Sequence, residues 1–497
     1  MANENLMGAT IPLIIGEPAE RVVSGEGQCD CACVAATPAI SKLPPQIDTP
    51  FQLNSTLTFA PLSPDYYSVW GQSVRPLAIN RSALSLLQHF SQPRSLTDLP
   101  ENLLGSPNLA EINLVLDKAV SADLLQPASH TPQPAVEYAV ELSAWLHVTD
   151  RCNLRCAYCY LPHKREDLSL ETGKEAIDAV YRSAVLHGYE RVKLKYAGGE
   201  PLIRFPLVTQ LHDYALMIFQ HSGIALDGIV LTNATLLTEP VVQHMQALGL
   251  RLMVSLDGFG EAHDKQRYYA DHRASFEDVM AGILLAVEHN LVPDISVTVS
   301  GRNAAGLPEV VSWLVGEQLP FSLNFYRSNP LSARFADLQL EEEQIIEGML
   351  AAFKEIEANL PERSVLASLV DRANLAVPHF RTCGVGQSYL VIDHTGQVSK
   401  CQMAIGTAVT DVKATDPLAL IRADKIGIQN ISVEEKEGCR GCEWKYWCAG
   451  GCSLATYRAT GRYDVQSPNC NIYKQLYPEA VRLEGLRLLK VNGLLYS

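Results

Sequence analysis

The sequence lacks long hydrophobic runs. None of its 497 residues starts a stretch of about 18 or more consecutive apolar residues, the length that a membrane-spanning helix needs. The opening residues Met1 to Asn5 lack the basic segment of a secretory signal. Basic charge is also scarce, with 40 Lys and Arg against 55 Asp and Glu and a net charge of −15, which disfavours binding to nucleic acid or anionic membranes. We therefore expect a soluble cytoplasmic protein that binds neither nucleic acid nor membranes.

The 13 cysteines lack the arrangement of a disulfide framework, because their number is odd and they are clustered in a long chain. The length suggests about three domains at roughly 150 residues per domain. Each cysteine cluster is therefore a candidate metal site. The clusters are Cys29, Cys31 and Cys33; Cys152, Cys156 and Cys159; and Cys383, Cys401, Cys439, Cys442, Cys448, Cys452 and Cys470.

The pattern of apolar residues predicts an α/β protein with a partial (β/α)6 TIM-type barrel at residues 140–330. Six apolar strands alternate there with amphipathic helices, which favours a parallel sheet with the helices on the outside. The predicted strands are 144–148, 193–197, 228–232, 251–255, 295–299 and 321–326.

Different patterns flank the predicted barrel. Residues 1–50 show no sustained apolar period and are predicted to be a flexible arm that contains the first cysteine cluster. Residues 51–135 combine short extended stretches with two amphipathic helices, which predicts a small winged-helix-like domain. Its few basic residues favour peptide binding or packing over DNA binding. Residues 331–378 are predicted to be a helical linker, 379–475 a cysteine-rich domain, and 476–497 a C-terminal helix or tail.

Cys152, Cys156 and Cys159 form a C-x3-C-x2-C loop directly after the first predicted strand. Three thiolates on one loop can hold three irons of a [4Fe–4S] cluster and leave the fourth iron open. A zinc site is an alternative, although a closed zinc site normally has four protein ligands. Three ordinary buried thiols are the other alternative.

This loop, with Tyr158 before its third cysteine, resembles the signature of the radical S-adenosylmethionine (SAM) superfamily. The resemblance implies that SAM chelates the open iron and is cleaved to a 5′-deoxyadenosyl radical. Further matching motifs follow successive strands, where a barrel enzyme carries its site. For each of these motifs taken alone there is an alternative interpretation: the glycines after the strands only turn the chain, and Arg267 is a solvated side chain. The residues implied to contact SAM are Tyr158, Gly198, Gly199, Glu200, Asn233, Ser255, Asp257 and Arg267.

The resemblance also implies particular roles for some of these residues. The motif Gly198-Gly199-Glu200 would meet the SAM ammonium. Ser255 would face the ribose, and Arg267 would meet the SAM carboxylate in a charge-assisted contact.

The seven C-terminal cysteines include a C-x2-C-x5-C-x3-C run, and residues 389–400 have the pattern of a hairpin that returns Cys401 towards Cys383. A zinc ribbon is an alternative, but seven ligands match neither one nor two closed four-cysteine sites. The spacing is similar to that of the SPASM extension, which implies two auxiliary [4Fe–4S] clusters and three in all. The implied distal ligands are Cys439, Cys442, Cys448 and Cys470, and the implied proximal ligands are Cys383, Cys401 and Cys452.

Two features of this ligand set remain open. Some members of the family have another cysteine about six residues after the first, and Tyr389 stands at that place here. The proximal cluster is therefore expected to have an open or exogenous ligand. The N-terminal Cys29, Cys31 and Cys33 are either an exposed stretch, a source of that ligand, or an imitation of a cysteine-bearing substrate.

Together these resemblances imply an enzyme that modifies a ribosomally synthesised peptide by a crosslink, a thioether or side-chain oxidation. An electron donor such as flavodoxin or ferredoxin is implied as well. The small domain resembles the leader-peptide-binding domain of such maturases, in which a leader would add a strand to a sheet edge. The alternatives are a sulfatase-maturase-like formylglycine-generating enzyme or subunit maturase, and a non-catalytic iron–sulfur electron carrier or regulator. The general base, the substrate and the oligomeric state are not identified by the sequence.

Overall fold

The computed structural model describes residues 12–16, 49–72, 74–95, 98–99, 109–129 and 139–495. Its strands are β1 (Ile14–Ile15), β2 (Phe51–Leu53), β3 (Thr58–Pro61), β4 (Tyr66–Trp70), β5 (Leu77–Asn80), β6 (Leu125–Pro127), β7 (Glu141–Thr149), β8 (Arg191–Gly198), β9 (Ala225–Thr232), β10 (Leu250–Ser255), β11 (Asp294–Val299), β12 (Phe321–Phe325), β13 (Tyr389–Ile392), β14 (Gln397–Ser399) and β15 (Ala408–Asp411).

The helices are distributed over all parts of the described chain. They are α1 (Arg81–Gln88), α2 (Leu109–Ser121), α3 (Leu170–Leu186), α4 (Phe205–Phe219), α5 (Glu239–Ala247), α6 (Glu261–Asp264), α7 (Phe276–Glu288), α8 (Leu307–Gly316), α9 (Glu342–Ala358), α10 (Pro417–Ala423), α11 (Lys445–Cys448), α12 (Ser453–Thr460) and α13 (Cys470–Val491). Among the described residues, no helix is both long enough and apolar enough to cross a bilayer.

The centre of the molecule is a mostly parallel sheet in which β7 to β12 lie side by side in chain order. All six predicted strands are present, which confirms the predicted mixed α/β fold. β7 is almost entirely buried, as expected for a parallel strand with both faces covered. Because the strands are parallel, their carboxyl ends, including Thr149, Gly198, Thr232 and Ser255, share one edge of the sheet.

A hairpin of the cysteine-rich region continues the same sheet beyond β7. β13 pairs in parallel with β7, and β14 and β15 follow in antiparallel order. The predicted hairpin is therefore present, with Gly396 at a positive φ of 85° in its turn. The sequence did not predict that the hairpin joins the barrel sheet.

The small N-terminal unit contains an antiparallel sheet of order β1-β5-β4-β3, a separate β2-β6 pair, and helices α1 and α2. Its apolar core includes Val69, Ile79, Leu86 and Leu116. C-terminal helix α13 packs on β4 and β5, and Ser68 Oγ donates to the carbonyl of Val481 at 3.5 Å. The winged-helix-like assignment and its predicted range, residues 51–135, stay predictions.

The prediction of a flexible arm over residues 1–50 was wrong for Ile14 and Ile15. These residues form β1 and are buried, because the apolar run that contains them pairs with β5. Cys29, Cys31 and Cys33 lie outside the described residues.

The prediction of a helical linker over residues 331–378 holds only for α9, which ends at Ala358. Pro361 follows closely, and a proline disfavours helical backbone in the residue before it. Residues 359–378 run through turns and bends instead. The C-terminal helix begins at Cys470 rather than near residue 476.

Candidate functional site

The Cys152–Cys159 loop leaves the sheet at the end of β7 and is bound there by the end of β8. The amide of Gly199 donates to the carbonyl of Thr149 at 2.6 Å, and that of Glu200 to the carbonyl of Arg151 at 2.8 Å. A Cβ atom at Gly198 would lie 2.3 Å from the oxygen of Thr149, and one at Gly199 would lie 2.2 Å from that of Arg151. Both positions therefore require glycine for this close approach.

The three loop cysteines are half-buried residues, and none of them is in a disulfide. Burial raises the pKa of Cys152, and the nearby Cys156 and Glu200 add to the effect. Burial and Cys156 raise the pKa of Cys159 to about 12. Three thiols that oppose one another's ionisation are suited to a bound cation, because metal binding removes their protons. The donor set of this loop therefore fits an iron–sulfur cluster.

Glu200 is a buried acceptor that joins the ends of two strands, β8 and β9. Its Oε1 accepts from the amide of Leu202 at 3.0 Å and from Thr232 Oγ1 at 2.6 Å, and its Oε2 accepts from the amide of Asn233 at 2.7 Å. Burial raises the pKa of Glu200, and these donors oppose that rise. A contact of the same carboxylate with the SAM ammonium stays a prediction.

Asn233 connects the end of β9 to the cysteine loop. Its Nδ2 donates to Asn153 Oδ1 at 2.9 Å and lies 4.0 Å from Cys152 Sγ. Ser255 is partly exposed at the end of β10. Both predicted residues are therefore on the same sheet edge as the loop.

Tyr158, Asp257 and Arg267 form a buried chain beside the loop. Tyr158 donates to Asp257 Oδ2 at 2.6 Å, Arg267 Nη1 donates to the Tyr158 hydroxyl, and the amide of Thr298 donates to Asp257 Oδ1 at 2.8 Å. Burial disfavours the charge of Arg267, but Cys156, Tyr158 and Asp257 raise its pKa well above the ordinary value.

The Nε atom of Arg267 is buried and has no hydrogen-bond partner. A buried unpaired donor on a cation is costly, and a ligand carboxylate would satisfy it. This observation fits the predicted contact with the carboxylate of SAM.

The C-terminal cysteines form two groups, and cysteines within each group raise the pKa of other members. Cys383, Cys401 and Cys452 pack against one apolar cluster. Burial raises the pKa of Cys383 to about 12, with further contributions from Cys452 and Cys401. Burial and Cys452 raise the pKa of Cys401 to about 11. We call these three residues the proximal group.

The other four C-terminal cysteines also form a group in which thiols raise the pKa of neighbouring members. We call them the distal group: Cys439, Cys442, Cys448 and Cys470. Burial raises the pKa of Cys439 to about 11, and Cys470 and Cys442 oppose its ionisation further. Burial raises the pKa of Cys448 to about 12, with additions from Cys439 and Cys470. The cysteines that influence one another are therefore grouped as the resemblance to the SPASM extension implies. Their occupation by iron stays a prediction.

Two buried cations near these groups were missed by the sequence analysis. Burial raises the pKa of Cys452, but Arg327 outweighs it and the net shift is downward. Arg327 also pairs with Asp371 at 2.7 Å. Lys436 donates to the carbonyl of Ala449 at 2.9 Å. Burial lowers the pKa of Lys436, and cysteines of both groups oppose that fall. An isolated Arg or Lys has no motif, so only the fold reveals these positions.

Two tyrosines, Tyr160 and Tyr389, lie close to the proximal group. Burial raises the pKa of Tyr160, and Cys159 on one side and Cys401 on the other raise it further. Tyr389 is buried near Cys401 and Tyr160 and donates to Gln402 Oε1 at 3.1 Å. Tyr389 thus lies next to the proximal group, as its place in the spacing predicts.

Comparison with known proteins agrees with this architecture. Residues 146–314 match the model of the radical SAM superfamily. An uncharacterized protein of Methanocaldococcus jannaschii is 32% identical over 171 residues, which cover 34% of this chain and 57% of that protein. The chain therefore spans little more than half the length of this relative.

Two other relatives are matched over most of their length. An AdoMet-dependent heme synthase of Methanosarcina barkeri is 26% identical over 68% of this chain and 98% of its own. A PqqA peptide cyclase of Bradyrhizobium diazoefficiens is 22% identical over 70% of this chain and 92% of its own. The solved structure of anSMEcpe with bound AdoMet and Cp18Cys peptide has a TM-score of 0.56 at 17% identity, covering 71% of this chain and 99% of that one. This last likeness supports the fold.

Proposed function

The chain carries a radical SAM domain, and from this premise we propose that it is an enzyme that modifies a ribosomally synthesised peptide. The radical SAM assignment rests mainly on one observation. The three thiols of the cysteine loop and the buried, unpaired Nε of Arg267 lie at the same edge of the sheet. The peptide part rests on the small N-terminal unit and on the relatives.

Cys152, Cys156 and Cys159 would hold the SAM-binding cluster, and Arg267 would bind the SAM carboxylate. When bound, the cluster and SAM supply a radical that removes hydrogen from a substrate. Tyr158 and Asp257 hold Arg267 through the hydrogen bonds described above. Glu200 keeps β8 and β9 together beneath the loop, so that this surface is preorganised before a ligand arrives.

The proximal and distal groups would hold two auxiliary clusters, the first with Tyr389 beside it. Tyr160 follows Cys159 in the chain and is near Cys401, so it would lie close to a substrate that reaches both sites. Lys436 provides a buried positive charge near both cysteine groups, which would offset the negative charge of thiolate-ligated clusters.

A peptide substrate is supported by the edge of the small sheet. Its strand β5 pairs with an extended segment of the chain, Ile14–Ile15, so this edge accepts main-chain hydrogen bonds from an added strand. Strand addition is a general mode of peptide recognition. Among the relatives, the PqqA peptide cyclase has a peptide substrate in its name, which points the same way.

A tetrapyrrole-modifying enzyme is the second candidate, because the AdoMet-dependent heme synthase is matched over 98% of its length. An iron porphyrin has no extended backbone, so the strand-pairing edge would have no use in its recognition. Parallel incubations with a candidate peptide and with Fe-coproporphyrin III distinguish the two substrate classes.

The test is anaerobic reconstitution of the full chain with iron and sulfide, followed by SAM and dithionite. We expect release of 5′-deoxyadenosine, and with the correct peptide a mass change in that peptide. Loss of two hydrogens would indicate a crosslink or oxidation. Absence of 5′-deoxyadenosine from a chain with intact clusters, with or without peptide, would contradict the radical SAM proposal.

The natural peptide is best found by anaerobic co-expression with the short open reading frames that neighbour the gene. Mass spectrometry then identifies a changed peptide, and a matched chain with Cys156→Ala controls for changes made by the host. A peptide that changes equally with both chains would not be a substrate.

A further inference from the structure

Strand β1 is a very short addition to the edge of the small sheet. Ile14 pairs with Ile79 and Ile15 with Ala78 in antiparallel register. The amide of Asn80 donates to the carbonyl of Leu13 at 3.1 Å, and the amide of Leu13 donates to Asn80 Oδ1 at 3.0 Å. Only two residues are thus in the ladder.

The side chains of this segment alternate between two apolar surfaces, as successive side chains of a strand do. Ile14 is buried in the core of the small unit. Leu13 and Ile15 belong to a different apolar cluster, which contains Leu488 and Leu489 of helix α13. The edge of β5 therefore recognises three successive apolar side chains, two on one face and one on the other.

The segment ends at Gly16, which lies against the side chain of Leu77. A Cβ atom at Gly16 would lie 2.4 Å from Leu77 Cδ2. Residues 17–48 then separate β1 from the next described residues, so the covalent connection to β2 is long. A free peptide must therefore compete with a segment that is covalently attached to the same chain.

We propose that residues 12–16 are a displaceable internal ligand of the β5 edge, which competes with an extended apolar peptide for the same main-chain hydrogen bonds and the same two apolar surfaces. The identity of the natural competitor as the peptide substrate rests on the proposed function. The internal strand then makes peptide docking at this edge selective, because a weak peptide does not replace it.

The test uses the reconstituted full chain and a fluorescently labelled synthetic peptide of residues 9–18. Two variants release the edge: a double variant with Ile14→Asp and Ile15→Asp removes apolar contacts on both faces, and a double variant with Leu13→Asp and Ile15→Asp removes those with the cluster of Leu488 and Leu489. We expect both variants to bind the peptide at least ten-fold more tightly than the unchanged chain. A control peptide with Asp at both isoleucine positions should bind to none of them.

Iron content and thermal midpoint establish that each variant is folded. Equal peptide affinity for the unchanged chain and for the folded variants would overturn the proposal, and so would no binding to either variant. The assay contains neither SAM nor reductant, so a failure of the proposed radical chemistry does not alter its result.

Hydrogen exchange of the unchanged chain gives a second test that needs no variant. An isotope-labelled peptide of residues 9–18, added at millimolar concentration, should deprotect the amides of residues 12–16 of the chain. The amides of β5 should stay protected, because the added peptide replaces the internal strand. Continued protection of residues 12–16 at every peptide concentration would show that β1 is a permanent strand and would overturn the proposal.

Discussion

The cysteine loop and the proximal group are built in opposite ways. The loop takes three thiols from eight consecutive residues, Cys152 to Cys159, at the end of one strand. The proximal group takes its thiols from Cys383, Cys401 and Cys452, which the hairpin and the following segments bring together. A local site depends on one turn of the chain, whereas a dispersed site depends on the fold around it.

This difference predicts that the loop is separable from the C-terminal groups. Each group should gain or lose its metal without emptying the others. The radical-forming reaction should depend on the loop first, and product formation should depend on all three groups.

The largest effect is expected from a triple variant with Cys152→Ala, Cys156→Ala and Cys159→Ala. SAM cleavage should fall to background, because the three thiolates are the only protein ligands proposed for that cluster. Iron should fall by about four atoms per chain, the content of one [4Fe–4S] cluster. Iron analysis and 5′-deoxyadenosine assays measure both. Retained SAM cleavage would contradict the assignment of the loop.

Arg267→Gln should raise the KM for SAM by about 10- to 100-fold, since a hydrogen bond to a charged group contributes about 1.5–3 kcal/mol. Arg267→Lys should rescue it only in part, because an ammonium lacks the planar fork of the guanidinium. The matched control is Arg273→Gln, which removes an exposed arginine paired with Asp271 and should leave KM unchanged. A change in kcat alone would indicate a role other than SAM binding.

Two multiple variants to Ala, one of the proximal group and one of the distal group, should each remove about four irons per chain. Both should keep SAM cleavage measurable while they reduce the yield of modified peptide. Loss of all iron from either variant would show that the groups are not separable. It would contradict the claim that the local loop binds its metal independently of the C-terminal groups.

Alkylation of metal-free protein tests the influence of Arg327. The pKa of Cys452 lies below the ordinary thiol value, whereas those of Cys383 and Cys401 are raised to about 12 and about 11. Since the thiolate is the reactive form, Cys452 should be alkylated at lower pH than its two neighbours. Arg327→Leu should remove this difference, and peptide mapping by mass spectrometry measures it. Equal rates in the unchanged protein would contradict the effect of Arg327.

The smallest effect is expected from replacement of Cys29, Cys31 and Cys33 by Ala. The proposed sites draw all their ligands from the other ten cysteines, so iron content and turnover should stay the same. A loss of iron in this variant would instead identify one of these thiols as a ligand beside Tyr389.

The sequence predicted the parts that depend on local chemistry. The six barrel strands follow from the alternation of apolar segments, and the loop follows from its spacing. The resemblance predicted which residues meet on the sheet edge, but not that Glu200 would be held by Thr232 and the amide of Asn233. Lys436 and Tyr160 also escaped prediction, because their importance comes from distant segments that only the fold places beside them.

The N-terminal strand β1, in contrast, could not be predicted from local sequence. Leu13 to Ile15 is an apolar run too short to be recognised as a strand by its pattern, and it lies among residues without a period. Its structure comes from the partner strand β5 and from helix α13. Tertiary contacts rather than local propensity determine such a strand.

Electron paramagnetic resonance of the dithionite-reduced full chain, recorded with and without SAM, tests the central claim most directly. SAM should change the signal of one cluster in the unchanged chain, and this response should be absent from the triple Cys152, Cys156 and Cys159 variant, whose remaining signals persist. A SAM response that survives in this variant, or one that is absent from the unchanged chain with full iron content, would contradict the account.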